Sequence, residues 1–239
     1  MLSRGTRMGR TRGSVTGLLL AVTAFGLVSC NRPRPTQDAT SEVPANAPTG
    51  SGRTIKIVAL GDSLTAGYGL QPEQAYPRLL EARLRAQGLD ASVLNAGVSG
   101  DTSAGGLRRI DWALESDVRV LIVALGANDA LRGLSVGELR QNLAAIIERA
   151  QSRGVSVVLA GMEAPPNLGP AYTSAFRRVY RDLAEQYHVE LLPFLLDGVA
   201  GVAGLNQGDG IHPNAEGTVR VTDNLWPFVE RAVRTAVVP

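Results

Sequence analysis

Residues 118–125 read VRVLIVAL, a nearly continuous apolar run that is rich in β-branched side chains. A run of this length and composition is typical of a strand that is buried on both faces, as the strands of parallel sheets are. Similar runs lie on either side of it in the chain, at 55–60 (IKIVAL) and at 155–160 (VSVVLA). Weaker strands are predicted at 92–95 and 189–192. The sequence therefore predicts a parallel sheet with a strongly apolar centre.

Segments with helical spacing of apolar residues separate the strands. The clearest is 135–153, where Ser135 and Glu138 form an S-x-x-E capping box and Gly154 follows the end. Because strands alternate with helices, the pattern indicates an α/β fold in which helices cover both faces of the sheet. The other helices are predicted at 73–87, 104–114, 171–187 and 215–236.

The N-terminal segment has the pattern of an export signal. Residues 1–29 contain four arginines and no acidic residue, and an uncharged, mainly apolar stretch fills 15–28. This stretch is shorter than the roughly 18 residues that a membrane-spanning helix needs. It ends in LVSC, with the only cysteine of the chain at Cys30. This ending resembles the lipobox of bacterial lipoproteins, which are cleaved before the cysteine and lipidated on it.

The lipobox resemblance implies an exported protein that a lipid on Cys30 anchors to a membrane of the cell envelope. In a Gram-negative organism this would be the outer membrane, with the protein facing the periplasm. Plain secretion and a buried structural cysteine are the alternatives. Residues 30–53 consist of the cysteine and a segment rich in Pro, Ser and Thr. A segment of this composition has too few apolar residues to form a core, which predicts a flexible linker. The folded domain is predicted at 54–239.

Composition excludes several classes of function. The chain has 239 residues, with 24 Lys and Arg against 22 Asp and Glu, but four of the arginines lie in the predicted signal. The remainder is slightly acidic, which argues against a nucleic-acid partner. Two histidines and one cysteine are too few for a three-His or Cys/His metal site. A single cysteine also excludes an intrachain disulfide.

Polar, glycine-rich segments follow the strands, where function collects in parallel sheets just beyond the carboxyl ends. GDSL follows the first strand at 61–64, NAGVSGD the second at 95–101, and GAND the third at 126–129. A fourth segment, DGIHPN at 209–214, precedes the last predicted helix. We therefore expect these four segments to meet at one edge of the sheet.

These segments contain the groups needed for nucleophilic attack on a carbonyl carbon. A serine hydroxyl needs a base that takes its proton, and His212 is the better placed of the two histidines to serve Ser63. Asp209, three residues earlier, could bind the other ring nitrogen and fix its tautomer. The developing oxyanion needs hydrogen-bond donors. The candidates are the N–H groups of Ser63 and Gly100 and the side-chain amide of Asn128.

In order and spacing, the four segments resemble the characteristic blocks of SGNH (GDSL-type) hydrolases. The matching stretches are GDSLTAGYG at 61–69, NAGVSGDTS at 95–103, GANDALRG at 126–133 and DGIHPN at 209–214. The extended forms look most like the bacterial arylesterase, lysophospholipase L1 and acyl-CoA thioesterase I branch. One departure is Ala127, where that branch often has glycine.

The family resemblance implies a three-layer α/β/α sandwich with a flavodoxin-like parallel sheet. It also implies a catalytic triad of Ser63, Asp209 and His212, and an oxyanion hole formed by Ser63, Gly100 and Asn128. No metal or cofactor is expected. The implied activity is that of a serine esterase that acts on acyl esters or lipids, such as lysophospholipids, aryl or fatty acyl esters and thioesters.

Other interpretations stay open at this point. The alternative functions are an envelope carbohydrate O-deacetylase and a non-catalytic lipid- or protein-binding lipoprotein. GLSVG at 133–137 fits the G-x-S-x-G nucleophile elbow, although no strand directly precedes it and Ser135 is better explained as a helix cap. Asp62 is expected to brace the turn after the first strand, Asp101 to start a helix, and His188 to be structural. The candidates for an acyl groove, or for ordinary loop packing, are Leu131, Leu134, Pro165, Pro166 and Leu168.

Overall fold

The computed structural model describes residues 54–115 and 117–237. The predicted signal peptide, Cys30 and the predicted linker lie outside these residues. The strands of the described part are β1 (Ile55–Gly61), β2 (Ala91–Gly97), β3 (Val118–Ala124), β4 (Ser156–Ala160) and β5 (Glu190–Leu192). They form a five-stranded sheet in the order β2-β1-β3-β4-β5, and every neighbouring pair is parallel.

Helices cover both faces of this sheet. Those of the described part are α1 (Ser63–Ala66), α2 (Tyr76–Ala86), α3 (Ser103–Ala113), α4 (Ala127–Leu131), α5 (Val136–Gln151), α6 (Pro170–Tyr187) and α7 (Ala215–Val237). Helix α2 packs on α7, whereas α3 packs on α5 and α5 on α6. None of the described helices has both the length and the apolar character needed to cross a bilayer. The three-layer α/β/α sandwich and its flavodoxin-like strand order are therefore confirmed.

The centre of the sheet is apolar throughout, as the VRVLIVAL segment predicts. Leu121, Ile122 and Val123 of β3 are completely buried, and in the whole strand only Arg119 is exposed. Each large apolar side chain buried in this way contributes about 1.5–3 kcal/mol relative to an exposed one. β3 pairs in parallel with β1 on one side and with β4 on the other. The carboxyl ends of these three strands therefore lie side by side.

Helix α2 begins later than its apolar spacing predicts. The spacing predicts a helix from residue 73, but Pro72–Gln74 forms a separate 3-10 turn and Ala75 is extended, with φ −66° and ψ 140°. The helix then begins at Tyr76 with Pro77 in its first turn. Proline is well tolerated there because the N–H that it lacks would have no partner within the helix. The proline therefore sets the start of α2.

Candidate active site

The carboxyl edge of the sheet brings the four predicted segments together. Ser63 opens α1 directly after β1, and Asn128 lies in α4 directly after β3. Gly100 lies on the loop between β2 and α3, and His212 on the loop before α7. The loops converge because β2, β1 and β3 are neighbours in the sheet. Helices α1 and α4 have four and five residues, too few to show a helical period, which is why the sequence does not predict them.

A continuous series of hydrogen bonds joins Asp209, His212 and Ser63. The Nε2 atom of His212 lies 2.9 Å from the Ser63 hydroxyl oxygen, and its Nδ1 atom lies 2.7 Å from Oδ2 of Asp209. The imidazole thus faces the hydroxyl with one nitrogen and the carboxylate with the other, and its side chain is only 16% exposed. The three residues meet in an order that allows a proton to pass from a serine to an imidazole.

Backbone N–H groups hold the carboxylate of Asp209 in place. Its Oδ1 atom accepts hydrogen bonds from the N–H groups of Ile211 and His212, both at 3.0 Å. The His212 N–H, the His212 ring and the Ile211 N–H together lower the pKa of Asp209 to about 2. The carboxylate is therefore ionised near neutral pH and can stabilise an imidazolium beside it.

Tyr68 packs on the imidazole, a contact that the sequence does not predict. The ring centroids of Tyr68 and His212 lie 4.7 Å apart, with their planes inclined by 38°. Gln207 links the same two residues, because its side-chain amide donates to the Tyr68 carbonyl at 2.7 Å and its N–H donates to the His212 carbonyl at 2.7 Å. The loop that carries the histidine is thus braced from the serine side of the site. The only sequence signal was an aromatic residue within the GDSLTAGYG block.

Asn128 and Gly100, the predicted oxyanion donors, lie at the same edge. The Asn128 side-chain amide donates to the backbone carbonyl of Asp101 at 3.0 Å and lies 3.4 Å from Oδ2 of Asp62. Gly100 has a φ of 82°, a left-handed conformation that residues with a Cβ rarely adopt. Its carbonyl accepts a hydrogen bond from Arg132 at 2.7 Å. Both groups are therefore held by bonds to neighbouring loops.

Asp62 is buried beneath the serine turn. Only 1% of it is exposed, and its Oδ1 atom accepts the Leu64 N–H at 3.0 Å, which caps helix α1. This is the bracing role that the sequence predicts. Burial raises the pKa of Asp62 to about 6, because it outweighs the Leu64 N–H, the nearby His212 and the Asn128 amide, which act in the opposite direction.

Other nucleophilic or titratable side chains have structural positions. Ser135 is the N-cap of α5 and accepts the Glu138 N–H at 3.4 Å. Helix α4 lies between β3 and this serine, so the G-x-S-x-G interpretation lacks the strand that a nucleophile elbow needs. His188 is the C-cap of α6, with a φ of 51°. Asp129 is buried and accepts hydrogen bonds from the N–H and the hydroxyl of Ser103, at 2.8 and 2.5 Å.

The expectation that Asp101 starts a helix is wrong. Helix α3 is capped by Thr102, whose hydroxyl accepts the Gly105 N–H at 3.3 Å. Asp101 instead forms an ion pair with Arg109, in which Nε lies 2.8 Å from Oδ2. Asp and Thr are both good N-cap residues, so their order in the chain could not decide which of the two caps the helix.

A cleft of about 680 Å³ opens beside Ser63 and His212. Of the five candidate groove residues, Leu131 and Pro165 line it and the other three do not. Most of its large apolar side chains were not predicted, because the tertiary fold decides which side chains face the cleft. These unpredicted lining residues are Leu64, Tyr68, Met162, Phe194, Leu196 and Ile211.

The site and the fold point to one class of protein. A hydroxyl, an imidazole and a carboxylate in hydrogen-bonded series form the arrangement that serine hydrolases use on several unrelated folds. In this chain the series lies at the carboxyl edge of a parallel α/β sheet, beside an apolar cleft and two groups suited to bind an oxyanion. Together these features define a candidate serine-type hydrolase.

Comparison with known proteins identifies the family. The chain matches the GDSL-like Lipase/Acylhydrolase family over residues 59–219. It is 45% identical to Esterase TesA of Pseudomonas aeruginosa over 175 residues, which are 73% of this chain and 87% of that protein. It is 36% identical to thioesterase 1/protease 1/lysophospholipase L1 of Escherichia coli K12 over 178 residues, 72% of this chain and 84% of that protein. A crystal structure of TesA, 43% identical, matches with a TM-score of 0.72 over 74% of this chain and 99% of that one.

The chain therefore belongs to the GDSL-like lipase/acylhydrolase family, the SGNH hydrolases, as its motifs predict. Its relatives are named esterase, arylesterase and thioesterase/lysophospholipase, and all of these are hydrolases of ester bonds. The protein is accordingly an enzyme that hydrolyses ester bonds.

Proposed function

We propose that the protein is a serine esterase of acyl esters that works through Ser63, His212 and Asp209 and forms an acyl-enzyme. The observation that carries the proposal is the unbroken hydrogen-bond series from carboxylate to hydroxyl, with distances of 2.7 and 2.9 Å. A serine hydroxyl alone is a weak nucleophile at neutral pH, and this series supplies the base that activates it. Membership of the family supports the same chemistry.

The proposed reaction has two halves. Ser63 Oγ attacks the ester carbonyl carbon while His212 Nε2 takes the hydroxyl proton, and Asp209 stabilises the resulting imidazolium. The tetrahedral intermediate expels the alcohol or thiol, which takes the proton from His212, and an acyl-serine remains. Water then gives a proton to the same imidazole and attacks the acyl carbonyl. Release of the acid restores the serine hydroxyl, and these steps use no metal or cofactor.

Three donors are proposed to stabilise the oxyanion, namely the N–H groups of Ser63 and Gly100 and the amide of Asn128. One hydrogen of this amide is held by the Asp101 carbonyl at 3.0 Å. The other hydrogen makes only a longer bond of 3.4 Å with Asp62, and we propose that the oxyanion takes over or shares this hydrogen when it forms. Such a donor contributes roughly 10²- to 10³-fold to kcat.

The apolar cleft supports an acyl chain as the group that lies beside the scissile bond. Three large apolar side chains in its lining, Tyr68, Leu131 and Ile211, are more than half exposed. Large apolar side chains exposed around one opening indicate a surface that binds an apolar ligand. The proposed substrates are lysophospholipids, aryl or fatty acyl esters and thioesters, which agree with the names of the relatives.

Hydrolysis of p-nitrophenyl esters, from acetate to palmitate, tests this substrate class. We expect a rate optimum at medium or long chains, because each methylene buried in the cleft contributes up to about 0.8 kcal/mol. The release of p-nitrophenol by the purified protein is measured, with Ser63→Ala as the blank. Leu131→Ser should lower kcat/KM for long esters more than for acetate. Leu134→Ser, on the same stretch but outside the cleft, should leave the chain-length preference unchanged.

Two outcomes would contradict the acyl-chain proposal. Activity confined to acetate would favour the O-deacetylation of an envelope carbohydrate. A folded protein that hydrolyses none of the esters and whose Ser63 does not react with a fluorophosphonate probe would favour a non-catalytic binding role.

We also propose that the protein is a lipoprotein, with residues 1–29 removed, a lipid on Cys30 and residues up to 53 acting as a tether. The support is the sequence alone, in which the only cysteine follows an uncharged stretch behind an arginine-rich start. An exported enzyme does not meet cytosolic acyl-CoA. This location therefore favours envelope lipids as substrates.

Cys30→Ser should release the protein from the membrane fraction, because the residue that carries the proposed lipid is lost. The measurement is an immunoblot of membrane and soluble fractions from a bacterial host that exports the full chain. Ser29→Ala, which keeps a small residue before the cysteine, should fractionate like the unchanged protein. A Cys30→Ser protein that stays in the membrane fraction would show that the lipid anchor is wrong.

A further inference from the structure

Arg109 is a largely buried cation at the carboxyl edge of the sheet that the proposed mechanism does not use. Its guanidinium donates three hydrogen bonds, from Nε to Oδ2 of Asp101 at 2.8 Å, from Nη1 to the Ala96 carbonyl at 2.6 Å and from Nη2 to the Gly61 carbonyl at 2.8 Å. The side chain of Arg109 is 18% exposed and that of Asp101 is 13% exposed. Charges at this depth need a partner and hydrogen bonds, and this pair has both.

The partners of Arg109 adjoin the proposed oxyanion donors. Gly61 ends β1, two residues before Ser63. Asp101 directly follows Gly100, and the backbone carbonyl of Asp101 accepts the hydrogen bond of the Asn128 amide at 3.0 Å. One guanidinium is thus bonded to the segments that lead to Ser63 and Gly100, and to the residue that holds Asn128.

Arginine is suited to this position by its shape. The Ala96 carbonyl belongs to β2 and the Gly61 carbonyl to β1, so the side chain bridges the ends of two neighbouring strands and the loop beyond them. A planar guanidinium presents five donors in a fixed fork, whereas a lysine ammonium is a point charge on a flexible stem. Helix α3 also leaves room for the ion pair, because a Cβ at Gly105 would overlap the Asp101 carboxylate.

We propose that Arg109 is a positioning residue of the oxyanion hole, which through its three acceptors keeps the three donors at the spacing that the transition state requires. This inference rests on the proposed function. Arg109 is not among the residues that line the cleft. It therefore acts on the reacting atoms only through the end carbonyls of β1 and β2 and through the Asp101 side chain of the Gly100 loop.

The test is Arg109→Lys, which keeps a positive charge near Asp101 but cannot reach both strand-end carbonyls. We expect kcat for the best p-nitrophenyl ester to fall about 10- to 100-fold, since donors displaced by roughly 1 Å can cost about 100-fold. KM should stay within about threefold, because the cleft that binds the acyl chain is unchanged. The rate at which a p-nitrophenyl alkylphosphonate inactivates Ser63 should fall in parallel, because its phosphoryl oxygen uses the same donors.

Arg153→Lys is the matched control. Arg153 also bonds a carboxylate and a backbone carbonyl near helix α3, with Nη2 at 2.7 Å from Oδ1 of Asp111 and Nη1 at 3.4 Å from the Leu114 carbonyl. These contacts of Arg153 are at the C-terminal end of α3, whereas the active site adjoins the N-terminal end. The same substitution there should leave kcat, KM and the phosphonate rate unchanged.

Asp101→Asn is the second variant, and it decides the matter if Arg109→Lys does not fold. It keeps the size of the side chain and removes the charge that pairs with the guanidinium. We expect the same pattern of lowered kcat and unchanged KM, with a smaller loss of about 3- to 10-fold. Each variant is assayed at a temperature at which circular dichroism shows it to be folded.

The outcomes separate the two proposals. A folded variant whose kcat stays within about twofold of the unchanged protein, even if its melting temperature falls, would overturn the inference and leave Arg109 a structural role. A rise in KM without a loss of kcat would overturn it as well. An unchanged protein that hydrolyses no ester would overturn the proposed function itself. An active unchanged protein with insensitive variants would remove only the role of Arg109.

Discussion

Ser63→Ala is expected to lower kcat by roughly 10⁴- to 10⁶-fold while the protein stays folded. The loss is large because no acyl-enzyme can form without the hydroxyl that lies 2.9 Å from His212. The fold should survive, because Asp62 and not Ser63 caps helix α1 through the Leu64 N–H. The measurements are kcat with a medium-chain p-nitrophenyl ester and a thermal melt followed by circular dichroism.

Ser135→Ala provides the matched control, since it makes the same serine-to-alanine change at the serine that fits the G-x-S-x-G pattern. Ser135 caps α5 through a hydrogen bond of 3.4 Å, so we expect full activity and a free energy of unfolding lower by about 0.5–1 kcal/mol. Ser63→Ala should thus lose activity and keep its stability, whereas Ser135→Ala should keep its activity and lose some stability. Near-normal turnover by Ser63→Ala, or loss of turnover by Ser135→Ala, would refute the assignment of the nucleophile.

The central strands could be predicted because burial on both faces leaves a local signature. β1, β3 and β4 read as continuous apolar runs, and each lies within one residue of its predicted bounds. Alternation with helices then implies parallel strands, and parallel strands place their following loops at one edge. The proximity of Ser63 and Asn128 follows from that argument, since β1 and β3 are neighbours.

Contacts between distant parts of the chain could not be predicted from spacing. The packing of Tyr68 on His212 depends on how two loops meet, and the sequence shows only that an aromatic residue lies near the serine. The ion pair of Asp101 with Arg109 could not be predicted either, because an aspartate at this position is equally typical of a helix cap. The wall that Met162 contributes to the cleft likewise depends on the tertiary fold.

His212→Gln is expected to lower kcat about as much as Ser63→Ala, by roughly 10⁴- to 10⁶-fold. Glutamine keeps a polar side chain of similar length, but it cannot take the serine proton. The double variant Ser63→Ala/His212→Gln should be no more than about tenfold worse than either single variant, because both remove the same step. If the two residues acted independently, their losses would instead multiply. The measurement is kcat for all three variants with one ester at one pH.

His188→Asn is the matched control for the histidine, because asparagine tolerates the left-handed conformation that His188 has at the C-cap of α6. The activity of this variant should be unchanged.

The pH profile of kcat/KM tests whether His212 is the base. We expect kcat/KM to fall at acid pH, because a protonated imidazole can no longer accept the serine proton. Asp209 does not contribute to this fall, because its pKa is lowered to about 2. Asp62, whose pKa is raised by burial to about 6, also gains a proton at acid pH, so the profile is repeated with Asp62→Asn. A fall that persists in that variant belongs to the histidine, whereas a flat profile from pH 5 to 8 in the unchanged protein would show that His212 is not the base.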